Sequence, residues 1–352
     1  MKKTLFFHIS DNYTGSTRVL EHIITEEYAD QKVTVITRVN EEGPLSKLPN
    51  VHLVSIWYPK INNKRIRFFS YLISRISPYI LAFYYGLSHN EFYINTITPY
   101  YAGIVGWILR KKIIYHVHEK FVRKTQKIKF AEFIFDHIPA TRIYVSKYLR
   151  TCYKEREDCI SIIKYNSLPK SFLSKVHIKP ISDRKRNTVQ MLCSLDKAKG
   201  IFTFISLSKR MPELRFRLII STEKKLIYNF LANVEIPQNL ELISRQTDIH
   251  PFLYDVDLNL NLSIPHLWIE TFGMTILEAM AYGIPSIVPN VGGPIELIEN
   301  GVNGFALDVT DIDLLVDKIQ ESLLKDKYEY LAANSLIKLK TFVKNENNFL
   351  KS

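Results

Sequence analysis

Two glutamates, Glu270 and Glu278, flank a Phe-Gly pair in an otherwise apolar stretch, IETFGMTILEAM, which starts at residue 269. The pattern predicts a loop as far as Gly273 and a helix that starts near Met274. In such a helix Glu278 lies off the stripe that would be buried, formed by Ile276, Leu277, Met280 and Ala281. The two carboxylates are therefore candidates for binding a ligand, and an ordinary amphipathic helix with a solvated glutamate is the alternative.

The start of the predicted helix is a candidate phosphate site. The first-turn N–H groups of Gly273, Met274 and Thr275 have no partner within a helix, and the helix dipole favours an anion there. Gly273 also removes side-chain bulk where a phosphate must approach closely. Further along the chain, Gly292-Gly293 again opens a helix after a strand. We therefore expect two glycine-bearing helix starts to converge on one edge of a sheet.

A second group of polar residues occurs in the sequence IIYHVHEK, which contains His116, His118 and Glu119. The apolar run before them predicts a strand, so these residues lie at its carboxyl end. His116 and His118 are two residues apart and point to the same side of a strand. Either imidazole could contact a ligand or be a buried structural histidine, and the spacing alone does not choose between them.

Short strands alternate with helices along the whole chain, and this alternation predicts parallel sheets in doubly wound α/β domains. The first half has six predicted strands, from TLFFHIS to TRIYVS, and the second half has six, from VQMLCSL to GFALD. A polar segment with prolines, 167–187, interrupts the pattern and reads as a linker. The length of 352 residues also fits two domains that face a cleft. Ligands of such sheets bind at the carboxyl ends of the strands.

Charge is concentrated in the first half of the chain. Residues 1–170 carry 26 Lys and Arg against 14 Asp and Glu, so the net charge of +12 belongs to this part. No acidic residue occurs between Pro44 and Asn90, and the segment 66–87 combines basic with aromatic and aliphatic residues. This pattern predicts an interfacial helix on an anionic membrane. The alternatives are a core helix and, given the pI near 9.3, a nucleic-acid-binding protein.

The remaining composition bears on the compartment. Three cysteines without metal-ligand or pairing spacing indicate a reduced, cytoplasmic setting. The apolar run of the N-terminus is too short for a signal peptide, and no uncharged apolar run is long enough for a transmembrane helix. We expect a cytoplasmic protein that lies peripherally on the inner face of the membrane.

The stretch ETFGMTILEAMAYGIPSIVPNVGGPIELIENGVNGF resembles the C-terminal signature of family-4 retaining glycosyltransferases of the bacterial polysaccharide-biosynthesis type, which have the GT-B fold. Shorter pieces within residues 1–325 agree with it: TGSTRVL, IYHVHEKF, YVSKYLR, IKYNSLP and LCSLDKAKG. The resemblance implies an acceptor-side Rossmann-like domain, 1–170, and a donor-binding one, 171–335. It also implies a C-terminal helix, about 336–352, that packs back on the first domain.

The resemblance implies roles for individual residues. Two are catalytic: His118 lies near the reacting sugar carbon, and Glu270 contacts the donor sugar. Glu278 binds the ribose hydroxyls of the nucleotide. The other donor-binding residues surround the phosphates, and these are Gly15, Ser16, Lys199, Phe272, Gly273, Met274 and Thr275.

The chain departs from the family pattern at three places near the expected phosphates. Ser194 stands where the family usually has an arginine, five residues before Lys199, and Lys197 is the alternative cation. The loop at Gly15 has one glycine where two are usual. The sequence IISTEKK replaces a glycine-rich turn after the next strand. These differences weaken the expected neutralisation of the leaving diphosphate.

The implied reaction moves a sugar from a nucleotide-diphosphate sugar to a saccharide, with retention at the anomeric carbon. The expected acceptor is a lipid-diphosphate-linked glycan for O-antigen or capsule synthesis. No cofactor, metal ion or nucleic acid is expected. The Asp-Val-Asp sequence at 255–257 resembles the metal-binding motif of the GT-A class, but it precedes a strand within the GT-B pattern. A sugar-nucleotide epimerase of similar two-domain shape is the alternative enzyme.

Overall fold

The computed structural model describes residues 3–38, 43–56, 64–122 and 124–343, and for residues 64–73 it describes the backbone only. The chain forms two compact units, Met1–Lys164 and Tyr165–Ser352. The division falls a few residues before the boundary predicted at residue 170. Both units are α/β structures with parallel sheets, as the alternation of strands and helices predicts.

The first unit contains a seven-stranded sheet in the order β3-β2-β1-β4-β5-β6-β7. In chain order its strands β1 to β7 are Thr4–Ser10, Val33–Arg38, Val51–Ile56, Glu91–Asn95, Lys112–Val117, Thr141–Tyr144 and Ile160–Ile163. The helices α1 to α5 are Gly15–Glu27, Lys64–Gly86, Tyr100–Ile108, Gln126–His137 and Lys147–Thr151. The strand order reverses between β1 and β4, which is where a doubly wound sheet opens a ligand crevice.

The second unit repeats this arrangement with six strands in the order β10-β9-β8-β11-β12-β13. Its strands β8 to β13 are Thr188–Cys193, Arg215–Ile220, Leu240–Ile243, Leu258–Leu260, Ser286–Pro289 and Gly304–Leu307. Its helices α6 to α13 are Lys170–Leu173, Ile201–Arg210, Lys224–Phe230, His250–Tyr254, Met274–Ala281, Pro294–Leu297, Ile312–Leu323 and Lys325–Val343. Here the order reverses between β8 and β11.

Helix α4, strand β7 and the short helix α6 were not expected from the sequence, and α13 begins at Lys325, before the C-terminal helix predicted at about 336–352. Helix α4 begins after Thr125, whose hydroxyl accepts from the Ile128 N–H, and it buries Ala131 and Phe135. The first turn of α4 is basic, and such a sequence is more typical of a solvent-exposed loop than of the start of a helix. Strand β7 lies at the edge of the sheet and exposes Ile160, so it lacks the alternation of a half-buried strand.

The two cores follow from the apolar faces of these elements. In the first unit, Phe6 and Tyr93 on neighbouring strands pack against the buried face of α1, including Leu20 and Ile24. Because Phe6 pairs with Tyr93 in the sheet, His8 and Asn95 lie two residues further along on the same face. The core of the second unit contains Phe204 and Phe216, among others. These cores support each sheet below the edge at which its strands end.

The segment predicted to be a linker, 167–187, contains α6 and ends on the second unit. Arg184 is buried, and its guanidinium donates to the carbonyls of Val256 and Tyr282. At the other end of this unit, Phe342 in α13 packs against Phe272, with ring centroids 6.3 Å apart. Residues 344–352 lie outside the described residues, so the predicted packing of the C-terminal helix on the first unit stays a prediction.

Candidate functional site

The loops after β8 and β11 bring Lys199 and Glu270 together at the point where the strand order of the second unit reverses. The Lys199 Nζ lies 2.9 Å from the Glu270 Oε2, and both side chains are partly exposed. The same ammonium group sits 4.9 Å from the centre of the Trp268 ring. An ammonium group held between a carboxylate and an aromatic face is positioned for a ligand anion. The two residues are thus neighbours as predicted for one site.

Glycines allow the loops of this site to approach one another closely. Gly200 has φ +76°, and a Cβ there would lie 2.2 Å from the Leu262 carbonyl oxygen. The Gly292-Gly293 pair packs against the backbone at Glu270, and the Gly293 N–H donates to the Glu270 carbonyl at 2.8 Å. A Cβ at Gly292 would meet the same carbonyl at 2.2 Å. The two glycine-bearing helix starts therefore converge, as the sequence predicts.

Helix α10 has the two faces expected from its sequence. It begins after Gly273, whose φ of +107° only glycine adopts readily. Ile276, Leu277, Met280 and Ala281 are buried, whereas Met274, Thr275 and Glu278 are partly exposed on the opposite face. Glu278 is therefore placed beside the helix start at which the predicted phosphate contacts lie.

Phe272 has a different environment from the other predicted donor-binding residues. Its side chain is buried and packs near the rings of Tyr165 and Phe342. Only the backbone groups of Phe272 remain available to contact a nucleotide-sugar donor. Ser194 and Lys197, by contrast, are exposed, and Lys197 begins the 3₁₀ turn that leads to Lys199.

In the first unit, Gly15 and Ser16 form the start of α1, close to the end of β1. A Cβ built on Gly15 meets nothing within 4 Å among the described residues. The Ser16 carbonyl accepts from the Asn95 Nδ2 at 3.1 Å. The helix start is thus held to the end of β4, and the space beside Gly15 is open.

His118 belongs to a buried hydrogen-bonded network that the sequence did not reveal. Its Nε2 lies 2.7 Å from the Asn95 Oδ1, and the Asn95 Nδ2 donates to the His8 Nδ1 at 3.0 Å. The His8 Nε2 in turn lies 2.8 Å from the Thr17 Oγ1. Burial lowers the pKa of His118 to about 3 and that of His8 to about 4. Both imidazoles are therefore neutral near pH 7.

His116 lies beside His118, with ring centroids 4.2 Å apart, but has different partners. Its Nδ1 lies 2.9 Å from the Tyr93 hydroxyl. Its Nε2 is buried and finds no hydrogen-bond partner within the part of the chain that the structure describes. Burial, and then the neighbouring His118, hold its pKa well below the usual range. His116 is thus the more deeply enclosed of the two histidines.

Strain and a perturbed carboxyl group mark the same edge of the sheet. Thr96 follows β4 with φ +74°, a value that is unfavourable for a β-branched residue and typical of functional sites. Burial raises the pKa of Glu119 to about 7, against a smaller opposite effect of a hydrogen bond with Thr96. Neither feature was predicted. The signal available in the sequence was a polar residue near the end of each of three neighbouring apolar strands.

The Asp-Val-Asp sequence has structural partners in the second unit. Asp257 is buried and accepts from the backbone N–H groups of Asn187 and Thr188. Asp255 pairs with Lys179 at 3.4 Å, on the surface. Across the described ranges, no group of three or more His, Cys, Asp and Glu side chains is arranged to hold a metal ion.

Comparison with known proteins places these observations in a family context. Residues 175–337 match the family model described as "Glycosyl transferases group 1". The chain is 26% identical over 183 residues to sucrose synthase 6 of Arabidopsis thaliana, which is 46% of this chain and 19% of that protein. It is 49% identical over 57 residues to a GDP-mannose-dependent alpha-mannosyltransferase of Corynebacterium glutamicum, 16% of this chain and 14% of that protein. The chain thus spans about a fifth or less of these two relatives.

The structural match extends further than the sequence matches. The crystal structure of Anabaena HepE in complex with UDP and glucose aligns with 97% of this chain and 95% of that chain, with a TM-score of 0.78 and 19% identity. Together with the two parallel-sheet units, this match defines the fold as GT-B. Residues 175–337, which match the glycosyl transferase model, make up most of the second unit.

Proposed function

We propose that the chain transfers a sugar from a nucleotide-diphosphate sugar to a hydroxyl of a saccharide, with retention at the anomeric carbon. The observation that carries this proposal is the Lys199–Glu270 pair, 2.9 Å apart, beside the start of α10. It lies within the region that matches the glycosyl transferase model. Structural neighbours have been solved in complex with UDP and glucose and with UDP-glucose. The retaining outcome rests on the resemblance to family-4 enzymes.

The second unit would bind the nucleotide. Lys199 neutralises the diphosphate, and the first N–H groups of α10 donate to its oxygens. Glu278, on the exposed face of the same helix, accepts from the two ribose hydroxyls. These interactions also stabilise the charge that develops on the leaving diphosphate, which then takes the proton of the acceptor hydroxyl.

Glu270 would bind the sugar, and its present partner has a consequence for that role. In the structure its carboxylate is paired with Lys199. An incoming diphosphate competes for the ammonium group and so releases the Glu270 carboxylate to accept from sugar hydroxyls. His118, neutral and fixed in place, acts as a hydrogen-bonding group and not as an acid. The residues thus position the donor and stabilise its leaving group, as a front-face displacement requires.

A transfer assay tests the proposal. UDP- and GDP-sugars are incubated with saccharide acceptors and with a lipid-diphosphate-linked glycan, and released nucleotide and glycosylated product are measured. We expect product whose anomeric configuration matches the donor, and we expect it to persist in EDTA because no cofactor or metal ion is proposed. Interconversion of free UDP-sugars without transfer would establish the epimerase instead. A wild type that transfers no sugar and binds none of UDP, GDP and the related nucleoside diphosphates would contradict either enzyme.

We also propose that the first unit docks on an anionic membrane, where a lipid-diphosphate-linked glycan for polysaccharide synthesis would be its acceptor. Helix α3 packs between α2 and α4, and this layer exposes large apolar side chains. Tyr84 and Ile80 on α2 are 66% and 62% exposed, and Trp107 on α3 is 61% exposed. Ile76, Phe83, Ile108, Phe130 and Phe133 of these helices are also exposed. An apolar face of this kind fits the interface of a lipid bilayer better than water.

The charge of the same helices fits an anionic surface. Lys127 of α4 lies near Arg38 and Arg75, and burial followed by these two cations lowers its pKa. Lys129 of the same helix is exposed, whereas Lys124, just before the helix, is exposed but paired with Glu132 at 2.6 Å. Other basic residues of the predicted patch cannot be placed: Lys60 and Arg123 lie outside the described residues, and the side chains of Lys64, Arg65 and Arg67 are not described. None of the helices in the described ranges combines the length and apolar character needed to span a bilayer.

Vesicle flotation tests the membrane proposal. Binding should increase with the anionic lipid fraction and decrease in high salt, since each Lys or Arg near the surface contributes about 1 kcal/mol that salt screens. Exchange of Ile80 and Trp107 for serine should weaken it. Exchange of Ile337, which is similarly exposed on α13 of the second unit, is the matched control and should not. Equal recovery with neutral and anionic vesicles would contradict the proposal.

A further inference from the structure

The ammonium group of Lys199 meets both the Glu270 carboxylate and the ring of Trp268, which lie in the loop that follows β11. The Lys199 Nζ is 2.9 Å from the Glu270 Oε2 and 4.9 Å from the centre of the Trp268 ring, over its face. The side chains of Lys199 and Glu270 are 17% and 21% exposed. The ammonium group is therefore held by a charged partner and by an aromatic face, and water reaches only part of it.

The backbone ties Trp268 to the residue that precedes Lys199. The Ile264 N–H donates to the Ala198 carbonyl at 2.8 Å. The Ile264 carbonyl in turn accepts from the N–H groups of Leu267 and Trp268 at 3.0 and 2.9 Å. Ala198 is itself buried, so this turn is anchored directly beside Lys199. The fold of the two loops therefore brings the ring and the ammonium group together, and their mutual attraction is not needed to place them.

A diphosphate would affect these two contacts of Lys199 in different ways. Its oxygens compete with the Glu270 carboxylate for the N–H groups of the ammonium, because both are anionic acceptors. They do not compete with an aromatic face, which attracts the cation from the side that the ring covers. A lysine that loses its carboxylate partner regains part of the rotational freedom of a long side chain. The ring is the contact that continues to limit this freedom.

We propose that Trp268 is a positioning residue whose ring keeps the Lys199 ammonium group in place after a nucleoside diphosphate has displaced the Glu270 carboxylate from it. The inference rests on the proposed sugar transfer. Because the ring covers one side of the ammonium group, it also excludes water there, and the attraction between opposite charges is stronger where water is excluded. Trp268 thus contributes to diphosphate affinity through Lys199.

Two substitutions of Trp268 separate its aromatic face from its bulk. Trp268→Phe keeps an aromatic face, and it removes an indole N–H that is buried and has no hydrogen-bond partner among the described residues. Trp268→Leu is also apolar but removes the face. A role in packing alone predicts similar effects, because both new side chains are smaller than tryptophan. A positioning role predicts that phenylalanine retains most of the diphosphate affinity and that leucine does not.

The contact between the ring and the ammonium group can be observed without a ligand. Protons over an aromatic face are shifted upfield by its ring current, so the Cε protons of Lys199 should resonate upfield of those of other lysines in ¹H–¹³C NMR spectra of the full chain. Lys199→Met assigns the signal. We expect the upfield shift to persist in Trp268→Phe and in Glu270→Gln, and to be lost in Trp268→Leu.

A second cation–π contact on the surface of the same unit provides the matched control. The Lys179 Nζ lies 5.7 Å from the centre of the Tyr254 ring. Tyr254→Leu removes that aromatic face and should leave the Lys199 signal and the nucleoside diphosphate affinity unchanged. Thermal midpoints confirm that each variant is folded.

Calorimetry then measures the binding of UDP or GDP, whichever the wild type binds. Trp268→Leu should weaken the affinity about fivefold, as expected for a cation–π contact at a partly exposed site, and Trp268→Phe should stay within about twofold of the wild type. In the Lys199→Met background, Trp268→Leu should change the affinity by less than about twofold, because the ring acts through the ammonium group. The comparison of leucine with phenylalanine decides if Lys199→Met binds too weakly to be measured.

The outcomes distinguish the role of Trp268 from the proposed function. Equal weakening by leucine and phenylalanine, or an unchanged affinity in Trp268→Leu, would overturn the role of Trp268. Loss of the upfield Lys199 signal in Glu270→Gln would also overturn it, because the carboxylate and not the ring would then hold the lysine. A wild type that binds no nucleoside diphosphate would instead reject the proposed function, on which the inference rests.

Discussion

The two units share one strand order, and each places its candidate site where that order reverses, yet the two sites are chemically opposite. In the second unit a charged pair, Lys199 and Glu270, lies partly exposed between the loops after β8 and β11. In the first unit the corresponding ends of β1 and β4 carry His8 and Asn95, which are buried and uncharged. A diphosphate needs fixed charge, whereas sugar hydroxyls need donors and acceptors in fixed positions. In the proposed function, the same topology would serve two kinds of recognition.

The glycines beside the two sites also differ, in the amount of space around them. Gly15, at the start of α1, borders open space, since a Cβ there meets nothing within 4 Å among the described residues. Gly200, just before α7, is enclosed, because a Cβ there would lie 2.2 Å from the Leu262 carbonyl. The first glycine leaves room for a ligand, whereas the second allows two loops to meet.

The largest effect is expected at the neutral site. His118→Ala should lower transfer by at least about tenfold without loss of folding, because the variant loses the hydrogen bond that the neutral ring is proposed to make with the donor sugar. His116→Ala should mainly lower stability, because this ring is enclosed and bonded to the Tyr93 hydroxyl. Transfer rates and thermal midpoints of both variants provide the measurement. The reverse pattern would show that His116 is the residue in contact with the sugar.

The charged site can be tested at the carboxylate that competes for Lys199. Glu270→Gln should lower transfer about tenfold through the loss of a charge-assisted hydrogen bond of about 1.5–3 kcal/mol. The same variant should bind a nucleoside diphosphate as tightly as the wild type or more tightly, because Lys199 no longer has a carboxylate partner. Calorimetry and transfer assays measure the two quantities separately. Wild-type turnover in this variant would contradict the proposed role of Glu270 in binding the sugar.

The difference between the glycines leads to a smaller effect. Gly15→Ala should leave stability unchanged and weaken donor binding by about 1 kcal/mol, since the added methyl group meets only the ligand. Gly200→Ala should lower stability by roughly 1–3 kcal/mol because of the clash and its φ of +76°. Denaturation curves and donor KM values compare the two. Loss of stability in Gly15→Ala would mean that this loop is closed.

The smallest effect concerns pH and Glu119. Its pKa is raised by burial from 4.5 to about 7, so the folded chain holds this proton more tightly than the unfolded chain. The associated stability is present below about pH 4.5 and is lost as the pH rises to about 7. Glutamine does not ionise, so Glu119→Gln does not lose this stability as the pH rises. The thermal midpoint of the variant minus that of the wild type should therefore be higher at pH 8 than at pH 5.

The histidines of the first unit do not obscure this comparison. The lowered pKa values of His8 and His118 make stability fall as the pH decreases below about 6.5, which is opposite to the effect of Glu119. Both histidines are present in the wild type and in Glu119→Gln, so their effect cancels in the comparison. Exchange of the exposed Glu213 for glutamine is the matched control and should shift the midpoint equally at both pH values. An equal shift at both pH values in Glu119→Gln would contradict the buried state of this carboxyl group.

The two sites also differ in how far the sequence predicts them. Glu270, Gly273, Glu278 and the Gly292-Gly293 pair lie within one short segment, so helix periodicity and turn residues were enough to place them together. Lys199 is 71 residues from Glu270, and its position followed from the family resemblance.

The network in the first unit could not be found in this way. His8 and Asn95 are 87 residues apart, on strands that become neighbours only through the sheet order. Each one stands alone in an apolar strand and has no motif around it. The fold class and most strands were predictable because period-two patterns are local. Helix α4 and strand β7 were missed because their local patterns are weak.

The central claim is that the charged site binds the nucleotide while the neutral site acts on the sugar. Calorimetric titration of UDP and GDP into the wild type, Glu278→Ala and His118→Ala tests it most directly. We predict that the wild type binds one of the two nucleotides, that Glu278→Ala binds it at least tenfold more weakly, and that His118→Ala binds it within twofold of the wild type. Equal weakening in both variants, or unchanged affinity in Glu278→Ala, would contradict this division of roles.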